Sequence, residues 1–373
     1  MKVLHVISDK NIGGAGVLLC NLLTCFDRER IQSIVALPCG SRLAPRILQM
    51  NIPVFYLSEA CDRISGASVR ELMRIIKRSR ADIVHTNAAV AARVAAKLCG
   101  VPVLHTRHCC FPPSGILTVP VARSVAGICN RMLSDHVIAT AEAAADNLRA
   151  LGIPARKISV IINGSLPIGD VDAQTLCDIR KSLDIRAEDF TVGICARLEE
   201  CKGHDTFLQA ATILKQSNSP ISFRFLLVGE GSLRKELEDR VASLGLGDLV
   251  RFTGFVSNMA PIYHLLRVNV NCSCGTETSC LAISEGMSVG LPTIASDYGG
   301  NGAMIGNDGA GILFPVGDAV ALANAILQIA QDREMEENMR LRARQRYKRY
   351  YTAEKMSLQV QNLYEKLAQK SFL

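Results

Sequence analysis

The stretch "ADIVHTNAAVAARVAAKLCGVPVLHTRH", residues 81–108, decides the fold of this chain. Its two apolar ends, "ADIVHT" and "VPVLHTRH", are typical of buried strands, and the alanine-rich "AAVAARVAAKLCG" between them has the pattern of a helix. Strands that are apolar on both faces and alternate with helices belong to parallel sheets covered by helices. The stretch therefore predicts one β-α-β unit of a doubly wound sheet.

The same alternation runs through the rest of the chain. In the first half we predict strands in "KVLHVIS", "SIVALP" and "DHVIATA", and helices in "GVLLCNLLTCF" and "SVRELMRIIKRSR". In the second half the strands are "FTVGICARL", "FRFLLVGEG", "LVRFTGFV", "VNVNCSC" and "LPTIASD". The helices between them are "HDTFLQAATILKQS", "SLRKELEDRVASLG", "CLAISEGMSVG" and "AVALANAILQIAQD".

A linker is predicted at "INGSLPIGDVDA", residues 162–173, because this stretch holds two glycines, a proline and an Asn-Gly turn. We therefore predict an α/β protein with two Rossmann-like domains, residues 1–165 and 172–349, and a C-terminal helix within 350–373 that packs back on the first domain. Ligands of such sheets bind beyond the carboxyl ends of the strands. We expect those ends to line a central cleft.

The composition of the chain argues against one class of protein and favours anionic ligands. The chain has 373 residues, 5% aromatic residues and no tryptophan, which argues against a nucleic-acid reader that stacks bases. Its net charge of +7 suits phosphorylated ligands or an anionic membrane surface.

Cysteine usage and the N-terminus point to the cytosol. None of the 14 cysteines forms a C-x-x-C pair, and many lie in apolar runs, so we interpret them as buried, reduced thiols. The five-residue apolar run in "MKVLHVISDK" is too short for a signal peptide, and no later run reaches transmembrane length.

The loop "SDKNIGGAG", residues 8–16, follows the first strand. Gly13 and Gly14 let the backbone approach a ligand, and the next helix offers N–H groups to an anion. Tight strand-to-helix turns use glycine as well. No Gly-Lys-Ser/Thr follows, so this is not a Walker loop, and no acidic residue ends the second strand, which argues against NAD.

A cationic pair follows a strand in "CARLEECKGHD", residues 195–205. Arg197 ends the strand and Lys202 lies before the next helix. A guanidinium fork and a point charge beside a helix N-terminus suit a diphosphate. A solvated turn explains the pair equally well.

Two glutamates frame "ETSCLAISE", residues 277–285. We expect residues 277–280 to form the turn that enters a helix, with Glu285 about two turns along it on the side of Glu277. The carboxylates could then hold two sets of hydroxyls and the amides between them an anion. Each glutamate alone could also be a helix-capping acid or a surface charge.

Two histidines end a strand in "VLHTRHCC", and His85 ends a neighbouring one. His105 and His108 are therefore candidate site residues, although single histidines are more often structural. Asp170 and Asp172 match the Asp-x-Asp metal motif of another enzyme class, but they lie in the predicted linker. We predict no metal and no bound cofactor.

These motifs together resemble the family 4 glycosyltransferases, which are retaining enzymes with the GT-B fold. The resemblance rests on "NIGGAG", "ARLEECKG", "FLLVGEGSLRKELE", "VRFTGFV" and "ETSCLAISEGMSVGLPTIASDYGG", in the family's order, and runs from residue 1 to about residue 365. It implies transfer of a hexose or N-acetylhexosamine from a nucleotide-sugar, with UDP the expected nucleotide, to an acceptor hydroxyl. Polysaccharide or glycolipid biosynthesis is the implied setting.

The resemblance also implies a role for each matching position. Arg197 and Lys202 would bind the donor diphosphate, Glu285 the ribose, and Glu277 the donor sugar. The remaining positions are Gly13 and Gly14 at the phosphate, His108 at the sugar, the amides of Thr278, Ser279, Cys280 and Leu281 at sugar and phosphate, and Gly254, Phe255 and Val256 near the base. Family members need no metal.

The chain departs from the family pattern around the sugar pocket, which leaves the donor sugar open. The departures are Ser273-Cys274 for Pro-Ser, Ser279-Cys280 for an aromatic-glycine pair, Ala303 for a glutamate and Ala141 for a serine.

Two features suggest peripheral docking on the inner face of a membrane with a lipid-linked acceptor. The helix "SVRELMRIIKRSR" carries five basic residues, and residues 111–133 are apolar with few charges. A solvated helix face and a loop packed on the core explain them equally well. We place the basic run at 340–351 on the helix that returns to the first domain.

Three alternatives stay open. They are a GDP-mannose-dependent mannosyltransferase of the same fold, a GT-B sugar-nucleotide epimerase and a non-enzymatic two-domain sugar-binding protein. The epimerase needs its own acid and base, and the binding protein needs an export signal.

Overall fold

The computed structural model describes residues 1–58, 65–87, 89–109 and 120–370, with no side-chain description for residues 120–125 and 370. The chain folds into two compact units. Unit 1 comprises Met1–Ser165 and Ala353–Leu373, and unit 2 comprises Leu166–Thr352.

Strands and helices alternate along both units. Within the described residues the strands are β1 (Lys2–Ile7), β2 (Gln32–Pro38), β3 (Val54–Leu57), β4 (Ile83–Asn87), β5 (Val103–Arg107), β6 (His136–Ala139), β7 (Ile158–Val160), β8 (Phe190–Cys195), β9 (Phe223–Val228), β10 (Val250–Gly254), β11 (Val268–Asn271), β12 (Thr293–Ser296) and β13 (Gly311–Phe314). The α-helices are α1 (Gly14–Cys25), α2 (Ala44–Gln49), α3 (Gly66–Ser79), α4 (Val90–Leu98), α5 (Pro120–Met132), α6 (Glu142–Ala150), α7 (Ala173–Ser182), α8 (His204–Gln216), α9 (Arg234–Ser243), α10 (Ala260–Leu265), α11 (Leu281–Ser288), α12 (Asn301–Ile305), α13 (Ala319–Gln331), α14 (Arg333–Tyr350) and α15 (Ala353–Lys370).

Unit 1 is built on a seven-stranded parallel sheet in the order β3-β2-β1-β4-β5-β6-β7. The strand order reverses between β1 and β4, where Val3 pairs with Ile83. Leu4, Val84 and Leu104 are fully buried, as expected of strands covered on both faces. The β4-α4-β5 unit predicted from residues 81–108 therefore lies at the centre of this sheet.

Unit 2 repeats the architecture with six parallel strands in the order β10-β9-β8-β11-β12-β13. Here the order reverses between β8 and β11, whose residues Val192 and Val268 are paired. Phe207 of α8 and Leu322 of α13 belong to the buried core beside them. The prediction of two Rossmann-like, doubly wound sheets is confirmed.

The prediction missed short elements. The strands β3, β7 and β13 and the helices α2, α10 and α12 are each three to six residues long, so they give little periodicity. The helices α6 and α7, with nine and ten residues, were not predicted either. Residues 111–119 of the apolar stretch lie outside the described residues. The rest of that stretch forms α5, not a loop.

The basic run at 340–351 was assigned to the wrong helix. It lies on α14, which contacts α11 and α13 within unit 2, whereas α15 contacts α1 and β4 within unit 1. The chain stops being helical at Tyr351 and Thr352, between these two helices. α14 and α15 follow each other after only two residues, so the helical pattern alone does not show where one helix ends and the next begins.

The interpretation of all cysteines as buried thiols was also wrong. Every cysteine in the described part of the chain is free, but only Cys20 and Cys272 are buried, and Cys39, Cys129, Cys177 and Cys274 are exposed. A cysteine with apolar neighbours in sequence is still exposed when it lies in a loop or on the outer face of a helix.

None of the described helices combines the length and hydropathy that crossing a bilayer requires.

Candidate functional site

Two charged side chains meet where the strand order of unit 2 reverses. Lys202 belongs to a short 3-10 helix, Glu200–Lys202, after β8, and Glu277 lies in the loop after the adjacent strand β11. Lys202 Nζ lies 2.6 Å from Glu277 Oε2, and the two side chains are only 18% and 9% exposed. The topology thus brings together two residues that are 75 positions apart in the sequence.

A glycine allows the two loops to approach each other. Gly203 has a φ of +67°, and a Cβ at this position would overlap the carbonyl oxygen of Cys272. The Cys274 amide also donates to the Cys201 carbonyl at 2.9 Å. A side chain at position 203 would therefore force one of the two loops to shift.

The Glu277 carboxylate is held in its charged form. Burial tends to raise its pKa, but the Lys202 charge and hydrogen bonds from Lys202, Ser273 and Asn271 outweigh it and place the pKa below the ordinary value. Burial likewise opposes the charge of Lys202, yet Glu277 raises the pKa of Lys202 overall. Ser273 Oγ donates to Glu277 Oε2 at 2.8 Å. The site therefore contains a buried, ionised pair.

The backbone at Glu277 is constrained on both sides. Thr276 has a φ of +58°, which is uncommon for a residue with a branched Cβ. Gly299, with a φ of +59°, lies so close that a Cβ would overlap the Glu277 carbonyl oxygen. Strained backbone of this kind clusters at functional sites.

Glu285 lies on α11, but not in the expected relation to Glu277. The helix begins at Leu281, so Glu277 precedes it and Glu285 lies just over one turn into it. Residues 277–280 precede the helix, as expected, but Glu285 lies about one turn nearer to the start of the helix than predicted. Tyr263 of α10 donates to Glu285 Oε2 at 2.8 Å.

Tyr263 is a neutral donor to that carboxylate. It is only 1% exposed. Burial raises its pKa well above the ordinary value, and the negative charge of Glu285 raises it further. Tyr263 therefore fixes the orientation of Glu285 with a buried hydrogen bond.

Residues 278–281 form the entry to α11. Thr278 and Ser279 are buried, and Cys280 is the N-cap. The Cys280 amide lies 3.1 Å from Met304 Sδ. Burial, followed by the charge of Glu277, raises the pKa of the Cys280 thiol to about 11, so this thiol is protonated at neutral pH.

Arg197 lies two residues after β8 and is exposed. Its loop is bordered by Gly229 and Gly231, where a Cβ would overlap the carbonyl oxygens of Ala196 and Leu198. The two glycines of "VGEG" thus allow this loop to pack closely against their backbone, which the sequence did not reveal. Among the residues the structure describes, no ion pair or hydrogen bond holds the Arg197 guanidinium.

Three further predicted positions follow β10. Gly254 ends the strand with a φ of +71°. Phe255 is 62% exposed, which is unusual for a large apolar side chain beside strand ends. Val256 is half-buried and packs on the cluster that contains Tyr263.

The glycine loop lies in unit 1. Gly13 is the N-cap of α1, and Gly14 is its first residue. Neither glycine has a positive φ, and the space around Gly14 is open, since a Cβ there would meet no atom within 4 Å. Backbone strain therefore does not require glycine at position 14.

The candidate histidines of unit 1 differ from one another. His85 is buried between Tyr364 and Thr106, at 2.6 Å and 2.7 Å from its two ring nitrogens. His105 is also buried, with its Nδ1 at 3.3 Å from Thr86 Oγ1. His108 is half-buried beyond the end of β5, with Nε2 at 2.7 Å from Asn87 Oδ1. Loss of solvent lowers the pKa of His108 to about 4, so it is neutral at physiological pH.

No motif pointed to Tyr263, because a single tyrosine in a helix carries no spacing signal. Ser273 was noted only as a departure from the family pattern, and its hydrogen bond to Glu277 was not predicted. Asp172 of the Asp-x-Asp sequence accepts a hydrogen bond from the Thr175 amide at 2.8 Å and is the N-cap of α7. The described residues include no group of three potential metal ligands among His, Cys, Asp and Glu. Metal independence stays a prediction.

Two family models match the chain in tandem. The model of glycosyltransferase family 4 matches residues 12–165, and the model of glycosyl transferases group 1 matches residues 177–346.

Curated relatives match at low identity over most of the chain. The UDP-Gal:alpha-D-GlcNAc-diphosphoundecaprenol alpha-1,3-galactosyltransferase of Escherichia coli is 27% identical over 298 residues, which are 77% of each chain. The GalNAc-alpha-(1->4)-GalNAc-alpha-(1->3)-diNAcBac-PP-undecaprenol alpha-1,4-N-acetyl-D-galactosaminyltransferase of Campylobacter jejuni is 24% identical over 368 residues, covering 93% of this chain and 94% of its own.

Solved structures agree in fold. HepE of Anabaena, crystallised with UDP and glucose, superposes with a TM-score of 0.84 at 21% identity, covering 98% of this chain and 99% of its own.

Proposed function

Because the chain belongs to the family 4 glycosyltransferases, we propose that it moves a hexose or N-acetylhexosamine from a UDP-sugar to an acceptor hydroxyl. The observation that carries the proposal is the buried Lys202–Glu277 pair at the strand-order reversal of unit 2. Open α/β sheets bind their ligands at such a point, beyond the carboxyl ends of the strands. The UDP bound to HepE and the UDP-Gal in the name of the E. coli relative support the choice of nucleotide.

The donor fits this arrangement group by group. Lys202 supplies a point charge and Arg197 a guanidinium fork for the diphosphate. Glu285, oriented by Tyr263, accepts hydrogen bonds from the ribose hydroxyls. Glu277 turns towards the hydroxyls of the sugar, with the entry to α11 beside it. Gly13, Gly14 and His108 lie in unit 1, and their roles stay predictions.

We propose that the reaction retains the anomeric configuration and needs no metal. As the sugar–phosphate bond breaks, negative charge develops on the leaving diphosphate, and Lys202 and Arg197 stabilise it. Fixed charges that face developing charge lower the barrier effectively in a water-poor site. The acceptor attacks from the face that the phosphate leaves, and the departing phosphate oxygen takes its proton.

We further propose that the acceptor is lipid-linked and that unit 1 docks on the membrane that carries it. The five basic residues of the α3 segment, Arg70, Arg74, Lys77, Arg78 and Arg80, are all exposed. On α5, Ile128 and Met132 are 53% and 68% exposed. Basic and apolar side chains together suit an anionic bilayer surface. The undecaprenol-linked acceptors named for both curated relatives support this proposal.

The test is a panel of UDP- and GDP-sugars, monitored for slow release of the nucleotide and for transfer to lipid-linked acceptors. We expect release from a UDP-sugar, the same anomeric configuration in donor and product by NMR, and unchanged rates with a chelator. Binding of no nucleotide-sugar would refute the proposal. Release only from GDP-mannose would assign the mannosyltransferase instead, and a changed sugar without transfer would assign an epimerase.

A further inference from the structure

Two cysteines lie in the segments that carry the Lys202–Glu277 pair. Cys201 precedes Lys202 directly, and Cys274 lies in the loop that leads to Glu277. The Cys274 amide donates to the Cys201 carbonyl oxygen at 2.9 Å. Standard bond lengths then limit the distance between the two α-carbons to at most about 6.8 Å, which is the upper end of the range that a disulfide needs.

Each side chain is directed at the other's segment. Cys274 Sγ lies 3.5 Å from the carbonyl oxygen of Glu200, the residue before Cys201. Cys201 Cβ lies 3.2 Å from the point where a Cβ of residue 275 would be. Since that residue is Gly275, it places no side chain of its own against Cys201 Cβ.

Both thiols can be reached, unlike their neighbours. Cys274 is exposed and Cys201 is half-buried, whereas Cys272 is buried, and burial raises the pKa of Cys272 far above its ordinary value. Disulfide exchange requires a thiolate and access to the oxidant. Cys201 and Cys274 are therefore accessible to a small oxidant, whereas Cys272 is not.

We propose that Cys201 and Cys274 form a reversible disulfide that closes the donor site. The Cys274 thiolate attacks a low-molecular-weight disulfide such as oxidised glutathione, and one glutathione leaves with the electron pair of the broken S–S bond. The Cys201 thiolate then attacks the mixed disulfide at Cys274, and the second glutathione leaves. Two protein thiols are oxidised, one small disulfide is reduced to two thiols, and the protons pass through solvent.

The consequence for binding rests on the proposed function. The disulfide would join the loop of Lys202 covalently to the loop of Glu277, while the Lys202 ammonium must turn from this carboxylate to a diphosphate. A covalent bond between the two loops would keep the Lys202 ammonium paired with the Glu277 carboxylate. The oxidised protein should therefore bind UDP about tenfold more weakly, a change within the usual range of coupling between two events on one protein.

The first experiment identifies the bond itself. The full-length protein is incubated with oxidised glutathione, alkylated, digested and mapped by mass spectrometry. We expect a cross-linked Cys201–Cys274 peptide, lighter by two hydrogens than its two reduced parts, in the wild type and in Cys177→Ser, which removes an exposed thiol on α7. Cys274→Ser should lack it. A stable glutathione adduct at Cys274 with Cys201 still alkylated would overturn the proposal.

The second experiment measures UDP affinity before oxidation, after it and after dithiothreitol. We expect weaker binding after oxidation, recovery on reduction, and no effect of oxidation in Cys274→Ser compared with its own reduced form. A mapped disulfide that leaves affinity unchanged would overturn its control of the site. Absence of UDP binding in the reduced wild type would instead refute the proposed function. The two outcomes can be distinguished, because the peptide map detects the disulfide without any ligand.

Discussion

At the scale of single residues, the site depends on carboxylates held by specific neighbours. Tyr263 and Glu285 are joined at 2.8 Å, and Lys202 and Glu277 at 2.6 Å. The sequence allowed us to name Lys202, Glu277 and Glu285 because their spacing follows the family motifs. It could not reveal Tyr263, because contact between α10 and α11 is decided by packing and leaves no local pattern.

Glu277→Gln should separate binding of the nucleotide from transfer of the sugar. The variant removes a negative charge beside Lys202, so the ammonium becomes more available to a diphosphate, and we expect UDP to bind at least as tightly as it does to the wild type. Turnover of the UDP-sugar should fall, because the proposed contact with the sugar is lost. Calorimetry with UDP and a transfer assay measure the two effects. Loss of UDP binding in this variant would contradict the assignment of Glu277 to the sugar.

Tyr263→Phe should raise KM for the donor and change kcat little. The substitution keeps the ring in the core but removes the hydrogen bond that orients Glu285, and a bond of this kind contributes about 1 kcal/mol or somewhat more when one partner is charged. We expect KM to rise by about five- to tenfold and the melting temperature to fall by no more than a few degrees.

A matched pair of ligands tests the mechanism behind this change. The wild type should prefer UDP over 2′-deoxy-UDP, and Tyr263→Phe should reduce that preference, because Glu285 is proposed to bind the ribose hydroxyls. An unchanged preference would show that Tyr263 acts on the structure alone.

At the scale of elements, the strand-end loops depend on glycines whose neighbours are remote in sequence. The sequence predicted most of the long helices and central strands, since each carries enough residues to show its period. It placed Glu285 about two turns along its helix, whereas α11 begins at Leu281 and Glu285 lies just over one turn into it. The carbonyl oxygen of Glu277, which precedes that helix, lies so close to Gly299 that a Cβ there would overlap it, and no periodicity records such a contact.

Gly203→Ala tests the turn that carries Lys202. The position combines a φ of +67° with a Cβ that would overlap the Cys272 carbonyl oxygen, so we expect a loss of roughly 2–4 kcal/mol in the free energy of unfolding. Gly247→Ala is the control, because Gly247 lacks a positive φ and has open space around it. Urea unfolding of both variants measures the difference. Equal stability of the two would contradict the described geometry of the turn.

Arg74→Gln with Lys77→Gln tests the basic face of α3. Removing two exposed cations should weaken attachment to vesicles that contain phosphatidylglycerol by about 1 kcal/mol per charge, with no effect on vesicles of phosphatidylcholine alone. Arg333→Gln with Lys348→Gln removes the same charge from α14 in unit 2. If this control loses as much binding in co-sedimentation, net charge and not the α3 face causes attachment.

At the scale of the whole molecule, unit 1 buries a histidine cluster that makes its stability depend on pH. His5 is fully buried, its ring 5.5 Å from that of His85 and 6.3 Å from that of Tyr364. Burial lowers the pKa of His5 from 6.5 to about 3. Burial also lowers the pKa of His85, and the nearby histidines lower it further. Both rings are therefore neutral in the folded protein at pH 5.

The unfolded chain binds protons on these rings from about pH 6.5 downward, whereas the folded protein does not until about pH 3 for His5. The free energy of unfolding should therefore fall as the pH drops through this window, by up to about 1.4 kcal/mol per pH unit for each histidine. His5→Leu should reduce the difference in stability between pH 7.5 and pH 5 by about 1–2 kcal/mol, measured by urea unfolding. The same pH dependence in His5→Leu and wild type would show that His5 is not the cause.

The two-unit architecture was the most predictable property of this chain, because its pattern of buried strands and helices repeats in both halves. The contacts at the site were less predictable, since Lys202 and Glu277 are 75 residues apart and meet only because β8 and β11 are neighbours. The family motifs supplied that pairing indirectly, through the order in which they occur.

The most direct test of the proposed donor site is the affinity for UDP, measured by calorimetry for the wild type, Lys202→Ala and Glu285→Ala. The matched controls are Lys215→Ala and Glu236→Ala, which remove the same charges from outer helices of unit 2. We predict that the wild type and both controls bind alike, and that Lys202→Ala and Glu285→Ala each lose UDP binding while keeping the circular dichroism of the folded protein. Wild-type affinity in both site variants would contradict the assignment of the donor site to this strand-order reversal.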